Sequence, residues 1–158
     1  MTATKSAGTT AGVIAPPPLI YLAALGVGLI FHAVFPLRLP LGGWSLPMAF
    51  GFVAAGVLLA VSGFRAMGRA DTNVNPYEPT TALVTDGPFR FTRNPLYLAL
   101  TLLYIGIALI VNTVWPILFL PAALLIMRYG VIDREERYLE QKFSEEYLRY
   151  KQAVRRWI

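Results

Sequence analysis

The sequence predicts an all-α integral membrane protein with four transmembrane helices and a bent amphipathic helix at its C-terminus. Of its 158 residues, 56% are hydrophobic and only 15% are charged, whereas about a quarter of a soluble domain is charged. Four apolar segments also approach the length of roughly 20 residues that a helix needs to cross a bilayer. Charged and aromatic segments flank these runs, which predicts polar clusters at the membrane surface.

The four apolar segments are bounded by prolines and turn formers. They comprise residues 19–35, 46–64, 95–111 and 114–131. Pro95 and Pro116 stand where a proline favours the first turn of a helix. Only Asn112 and Thr113 separate the last two segments, so these segments are predicted to form an antiparallel hairpin. We expect residues 16–158 to form a single domain and residues 1–15 to form a disordered tail.

The fourth segment is short for a transmembrane helix. Its apolar part, residues 114–127, covers only about 21 Å at 1.5 Å per residue. Two interpretations remain. Either the helix continues through Arg128 and Tyr129 with the guanidinium reaching the interface, or Arg128 faces a polar cavity between helices.

The basic residues predict the orientation. If the N-terminus is cytoplasmic, the two outer connections contain only Arg38 among their basic residues, and the linker 65–94 and the tail 132–158 lie inside. This distribution follows the positive-inside rule, so both termini are predicted to be cytoplasmic. The net charge of +5 therefore requires no nucleic acid, and the tail mixes acidic with basic residues, unlike a nucleic-acid-binding arm.

The tail after the fourth segment has a helical apolar stripe. Ser144 precedes two glutamates, a pattern typical of a new helix start, so we expect a bend near Phe143 and Ser144. A helix that lies on the cytoplasmic membrane surface follows, and it serves either as an anchor alone or as the cover of a site. The stripe consists of Ile132, Leu139, Phe143, Tyr147, Tyr150, Val154 and Trp157.

Candidate binding groups meet at one membrane face. Asn94 is predicted to precede the third helix, whose N-terminal amides can receive a carboxylate, and Arg93 adds a positive charge. Glu135 and Glu136 follow the fourth helix and can bind hydroxyls or a cation. The chain has no cysteine and only one histidine, which excludes disulfides, thiol nucleophiles and a histidine-based metal cluster.

Two motifs in this arrangement resemble a known family. GPFRFTRNPLY (87–97) and EERYLEQKFSEEYLRYKQAV (135–154) flank an apolar hairpin. This pattern is similar to the membrane methyltransferases that include isoprenylcysteine carboxyl methyltransferase and the phospholipid N-methyltransferases. The likeness covers residues 83–154. That family commonly has histidine where this chain has Asn94, which puts a general-base role at this position in doubt because an amide does not titrate near neutral pH.

The resemblance implies a cofactor and a substrate class. S-adenosylmethionine would bind between the last two membrane helices and the C-terminal segment, and a lipid or other lipophilic acceptor would enter from the bilayer. The positions that match the family's cofactor pocket are Arg93, Asn94, Pro95, Tyr97, Glu135, Tyr147 and Tyr150.

The chemistry expected of such a site is methyl transfer to a carboxylate, an amine, or a thiol or hydroxyl of a lipid-like molecule. We expect Arg128 to orient an anionic acceptor and Glu136 to take the proton of an amine, so these two are the predicted catalytic residues. Two alternatives stay open. One is a non-catalytic four-helix assembly or carrier protein, and the less favoured one is a membrane lipid reductase, for which no GxGxxG-type signature is present.

Overall fold

The computed structural model describes residues 10–73, 75 and 77–157, and over this part of the chain it is helical with no β-strand. The all-α class predicted from the sequence is therefore confirmed. A 3₁₀ turn precedes α2 and another precedes α3, and a π turn, Arg128–Ile132, joins α4 directly to α5. The helices are α1 (Pro17–Val34), α2 (Ser45–Arg69), α3 (Pro95–Val111), α4 (Trp115–Met127) and α5 (Asp133–Ala153).

Three helical stretches are long and apolar enough to cross a membrane. They are Pro17–Val34, Gly42–Arg69 and Trp115–Ala153, while α3 is apolar but has 17 residues, or about 26 Å. The apolar part of the last stretch ends at Ile132, because α5 is rich in charged side chains. The outward faces of α1 and α2 carry exposed large apolar side chains such as Ile30 and Leu58, as expected for helices in lipid.

The bundle is built around α3, with α2 packed along it and α1 packed mainly against α4. Glycines allow these close approaches. A Cβ atom at Gly28 would lie 2.8 Å from the backbone of Pro116, and one at Gly56 would lie 2.9 Å from Cγ of Leu103. Both contacts are of the small-residue kind by which membrane helices approach one another.

The α3–α4 connection is a tight turn, as the sequence predicts. Asn112 ends α3 in the left-handed conformation, with φ 55° and ψ 54°, a common way to end a helix. The Thr113 amide donates to the Ala108 carbonyl at 3.0 Å, and the Val114 amide donates to Leu37 at 3.1 Å. This end of the bundle is thus joined to the α1–α2 connection.

The N-terminal segment differs from the predicted disordered tail. Residues 1–9 lie outside the described part of the chain, but residues 10–15 contact the α4–α5 junction. The Ile14 amide donates to the Gly130 carbonyl at 3.1 Å, and Val13 is buried in the core beside Met127 and Val131. The Gly130 carbonyl that accepts the Ile14 amide lies within the π turn.

The polar helix α5 bends at Ser144, where φ is 45° and ψ is −117°. This is the position at which the sequence predicts a bend. Beyond it the chain turns back toward the start of α3, and the Arg93 amide donates to the Arg155 carbonyl at 3.0 Å. The bend therefore brings the C-terminus beside the first residues of α3.

Candidate active site

A cavity lies where α3 begins and α5 starts. It contains about 920 Å³ of free space when its open mouth and the adjoining solvent are included. The end of α2, the linker before α3, the first turn of α3 and both halves of α5 form its walls. The polar and aromatic lining residues include Thr72, Asn73, Asn75, Thr80, Phe89, Arg93, Asn94, Tyr97, Glu135, Glu136, Tyr138, Tyr147 and Tyr150.

The structure brings eight of the nine predicted site residues to this cavity. All seven predicted cofactor-binding residues line it, and so does Glu136, but Arg128 does not. They meet because the α3–α4 hairpin returns the chain to the same end of the bundle. The bend at Ser144 then adds the second half of α5.

Asn94 occupies the position before α3 but does not cap the helix with its side chain. Its backbone amide donates to Oγ1 of Thr92 at 3.2 Å, and its side-chain Nδ2 donates to the Arg156 carbonyl at 2.9 Å. Asn94 is buried. The amide side chain therefore has a structural role in joining α3 to the C-terminus.

Arg93 presents unpaired hydrogen-bond donors in this buried setting. Its side chain is 9% exposed, and Nη2 lies 3.4 Å from Oε1 of Glu136. Its Nε and Nη1 atoms are buried without a hydrogen-bond partner in the described chain. Buried donors are nearly always satisfied in proteins, so this guanidinium has the unused capacity to bind an oxyanion.

Glu135 forms a short contact across the cavity to α3. The Tyr97 hydroxyl donates to Oε1 of Glu135 at 2.6 Å. Burial raises the pKa of the Glu135 carboxyl to about 7, the hydrogen bond from Tyr97 opposes this rise, and the charge of Glu136 adds to it. The carboxyl thus changes charge near neutral pH, and an adjacent cation would favour its anionic form.

The Glu136 carboxylate is paired with three basic side chains, those of Arg93, Lys151 and Arg156. Nε and Nη2 of Arg156 donate to its two oxygens at 3.0 and 2.7 Å, and the Lys151 ammonium lies 3.9 Å away. Both carboxylate oxygens are therefore engaged. The catalytic role predicted for Glu136 stays a prediction, and no local sequence pattern indicated that Arg156 would pair with this residue.

The two tyrosines after the bend form an aromatic wall. Tyr147 is 2% exposed, and its ring centroid lies 6.1 Å from that of Tyr150 in an edge-to-face arrangement. The Tyr150 hydroxyl donates to the Phe89 carbonyl at 2.7 Å. These contacts attach the second half of α5 to the turn before α3.

Arg128 lies outside the cavity. Its side chain is exposed, and its guanidinium sits 5.3 Å from the centre of the Tyr129 ring, which is also exposed. Met127 and Val131 occupy the inward face of this turn and are fully buried, so Arg128 points outward. The geometry corresponds to the interfacial interpretation of Arg128 and does not place it against an acceptor in the cavity.

Sequence reasoning missed two contributors to the site. Arg156, in the segment after α5, pairs with Glu136 near the start of α5, and the linker residues Thr72, Asn73 and Thr80 form one wall. The length of the linker and its turn formers indicated a structured connection. Nothing in the sequence indicated which of its side chains would face the cavity.

The profile of the phospholipid methyltransferase family matches residues 44–146, about two thirds of the chain. The chain belongs to this family. The match includes α3, the hairpin and the first half of α5, so the cavity lies largely within the family region. Membership and the apolar helices together make the chain a membrane protein of a methyltransferase family.

A curated relative is also similar. An uncharacterized protein from Haemophilus influenzae (strain ATCC 51907 / DSM 11121 / KW20 / Rd) is 41% identical over 63 residues. That stretch is 40% of this chain and the whole of the relative. No solved structure matches the chain.

Proposed function

We propose that this protein transfers a methyl group from S-adenosylmethionine to a lipophilic acceptor. The observation that carries the proposal is the guanidinium of Arg93, a residue that lines the cavity and has two buried nitrogen atoms without a hydrogen-bond partner in the described chain. Family membership supports methyl transfer, and the cavity supplies groups that suit the donor. The donor's identity and the acceptor are the parts of the proposal that require testing.

The residues of the cavity fit the polar groups of S-adenosylmethionine. Arg93 has the donors for its carboxylate, and Glu135 has a carboxyl that can bind its ammonium or ribose hydroxyls. The Tyr147 and Tyr150 rings give an aromatic wall suited to the adenine. When bound, S-adenosylmethionine supplies an activated methyl group on a positively charged sulfur.

The residues of the chain contribute alignment and exclusion of water. Methyl transfer from a sulfonium is an in-line displacement that removes a positive charge, so it depends on orientation more than on acid or base catalysis. The Tyr97 hydroxyl fixes Glu135 at 2.6 Å, and the Tyr150 hydroxyl closes the far wall through Phe89. Arg93 would hold the anionic end of the donor.

The acceptor is a lipid or another lipophilic molecule that carries a carboxylate, an amine, or a thiol or hydroxyl group. The position of the cavity at the end of an apolar bundle supports this class. For an amine acceptor, Glu135 is the better proton acceptor, because Arg156 engages both oxygens of Glu136. The distribution of basic residues supports a cytoplasmic site with both termini on that side.

The direct test is calorimetric binding of S-adenosylmethionine to protein purified in detergent. We expect binding by the native protein, and at least about a tenfold loss of affinity in Arg93→Ala, since a charge-assisted hydrogen bond contributes about 1.5 to 3 kcal/mol. Arg90→Ala is the matched control, because Arg90 is exposed. Absence of binding by well-folded native protein would contradict the proposal.

The acceptor is found by incubating lipid extracts with the protein and isotope-labelled S-adenosylmethionine, followed by mass spectrometry. A labelled lipid that forms with native protein and not with Arg93→Ala identifies the acceptor class. A carrier or assembly protein would bind a lipid without labelling it. A reductase would instead bind a nicotinamide cofactor, which a parallel binding screen detects.

A further inference from the structure

The last residues of the chain, 154–157, form a C-terminal segment that leaves the helix and lies beside the start of α3. Val154 has extended backbone angles, with φ −123° and ψ 133°. The Arg156 carbonyl accepts hydrogen bonds from Oγ1 of Thr92 at 3.1 Å and from Nδ2 of Asn94 at 2.9 Å. Together with the bond from the Arg93 amide to Arg155, this makes three hydrogen bonds to residues 92–94.

The side chain of Arg156 makes a second set of contacts in the opposite direction. Its guanidinium donates through Nε and Nη2 to Glu136 and lies 3.0 Å from Asp133 through Nη1. Glu136 is 5% exposed, so this two-point pairing is largely shielded from water. Charge-assisted hydrogen bonds are strongest in such shielded surroundings. A single residue thus joins the start of α5 to the start of α3.

These contacts act on groups that line the cavity. Glu136 is also the only carboxylate paired with Arg93 in the described chain, at 3.4 Å, so the position of Arg93 depends on a partner that Arg156 holds. The carbonyl of Arg156 fixes the amide of Asn94 directly. Displacement of Arg156 would therefore loosen two adjacent residues of the cavity wall at once.

We infer that Arg156 is a positioning residue of the methyl-donor site, which holds the C-terminal segment against α3 and fixes Arg93 and Asn94 for binding. The inference rests on the proposed function. Arg156 does not line the cavity, so its effect is transmitted through Glu136 and Asn94. Its loss should weaken binding of the donor beyond what a general loss of stability explains.

The test compares Arg156→Ala with Arg155→Ala. The two residues are adjacent and carry the same charge, but the Arg155 side chain is exposed and makes no hydrogen bond or ion pair with the described residues. We expect Arg156→Ala to raise the Kd for S-adenosylmethionine by about tenfold to a hundredfold, because small displacements of binding groups have effects of that size. Arg155→Ala should stay within about twofold of native protein, as is usual for a surface substitution.

Arg156→Lys separates positioning from folding. It keeps the charge but cannot donate to both oxygens of Glu136 through a planar fork, so we expect an intermediate Kd with a Tm close to native. If Arg156→Lys and Arg156→Ala lower the Tm while the Kd of the folded fraction stays native, Arg156 is merely structural and the inference fails. Equal weakening by Arg155→Ala would also overturn it.

A distance measurement tests the position of the segment without any ligand. The chain has no cysteine, so a nitroxide reagent would label only the two cysteines introduced by Arg155→Cys and Arg90→Cys. We expect a narrow distance distribution with Arg156 present and a broad one in Arg156→Ala, whereas unchanged distances would overturn the inference. If native protein binds no S-adenosylmethionine, the proposed function fails together with the donor-site role, and the label distances still report separately whether Arg156 holds the segment.

Discussion

The hydroxyl of Tyr97 donates to Oε1 of Glu135 at 2.6 Å, a contact that joins the first turn of α3 to the first turn of α5. These residues are 38 positions apart in the sequence, and the hairpin between them brings them together. The contact fixes one acidic group in the cavity by means of a neutral partner. It thereby leaves the charge of Glu135 free to respond to a ligand.

Replacement of Tyr97 by Phe should weaken donor binding. The hydrogen bond from Tyr97 lowers the pKa of Glu135, so its removal leaves more of the carboxyl protonated and less precisely placed. We expect about a fivefold to tenfold rise in the Kd for S-adenosylmethionine, corresponding to about 1 to 1.5 kcal/mol for one lost hydrogen bond. Calorimetry at pH 7 measures it. Tyr104→Phe is the control, because Tyr104 bonds to Pro116 far from the cavity, and an equal effect there would contradict the prediction.

The affinity for S-adenosylmethionine should rise with pH. Burial raises the pKa of Glu135 to about 7, and only the ionised carboxylate attracts a cation. From pH 6 to pH 8 the ionised fraction grows by about tenfold for a group of this pKa, and the affinity should follow. Calorimetry across this range measures the change. Glu135→Gln should flatten the profile, and a profile that keeps its slope in this variant would assign the titration to another group.

The stability of the unliganded protein should show the opposite pH trend. The folded protein keeps a proton on Glu135 at pH values where the unfolded chain has lost it, between about 4.5 and 7. The stabilising contribution is therefore full at low pH and is lost as the pH rises through 7. Thermal unfolding of native protein should shift to lower temperature from pH 5 to pH 8 relative to Glu135→Gln. A constant difference between the two proteins would show that Glu135 does not titrate there.

Glu136→Gln should destabilise the protein more than Glu135→Gln does. Removal of this carboxylate charge leaves Arg93 and Arg156 without their shared partner in a mostly buried setting. Breaking a buried ion pair on one side costs about 3 to 5 kcal/mol, and the partial exposure of Arg156 should reduce this to about 2 to 4 kcal/mol. Thermal unfolding in detergent measures the difference. Equal midpoints for the two variants would contradict the prediction.

Gly28→Ala should destabilise the bundle, whereas Gly26→Ala in the same helix should not. A Cβ atom at Gly28 would lie 2.8 Å from the backbone of Pro116, while one at Gly26 meets nothing within 4 Å. Overpacking of this kind costs about 1 to 3 kcal/mol, and alanine in an open helical position gains up to about 1 kcal/mol over glycine. Unfolding of the two variants under one condition provides the comparison. A loss of stability in both would point to a partner on the outer face of α1.

Much of the fold and part of the site follow from the sequence because both depend on local signals. Apolar length, first-turn prolines and the two-residue turn predict the helices and the hairpin. Arg93 to Tyr97 form one continuous motif at a helix start, and the hairpin then places Glu135 opposite it. Such relations need only the period of a helix and the reversal of the chain.

The remaining site features depend on geometry that no local pattern specifies. The bend at Ser144 is predictable from the neighbouring residues, but the direction of the bend is not. Arg156 reaches Glu136 only because the chain bends in this direction. The outward position of Arg128 depends on a π turn for which the sequence has no clear signal. Residues 10–15 contact Gly130 within the same turn, and no local pattern specifies a contact between segments so distant in the sequence.

The π turn at Arg128–Ile132 also sets the rotational phase of the two halves of the last helix. Each residue of an α-helix advances the side-chain direction by about 100°, and a π turn accommodates one extra residue without breaking the helix. Side chains of α4 that face the bundle and side chains of α5 that face the cavity therefore do not belong to one continuous stripe. Shortening this turn by a single residue would rotate Glu135 and Glu136 together about the helix axis by about 100°. The alignment of these two residues with Arg93 therefore depends on the exact number of residues in the turn.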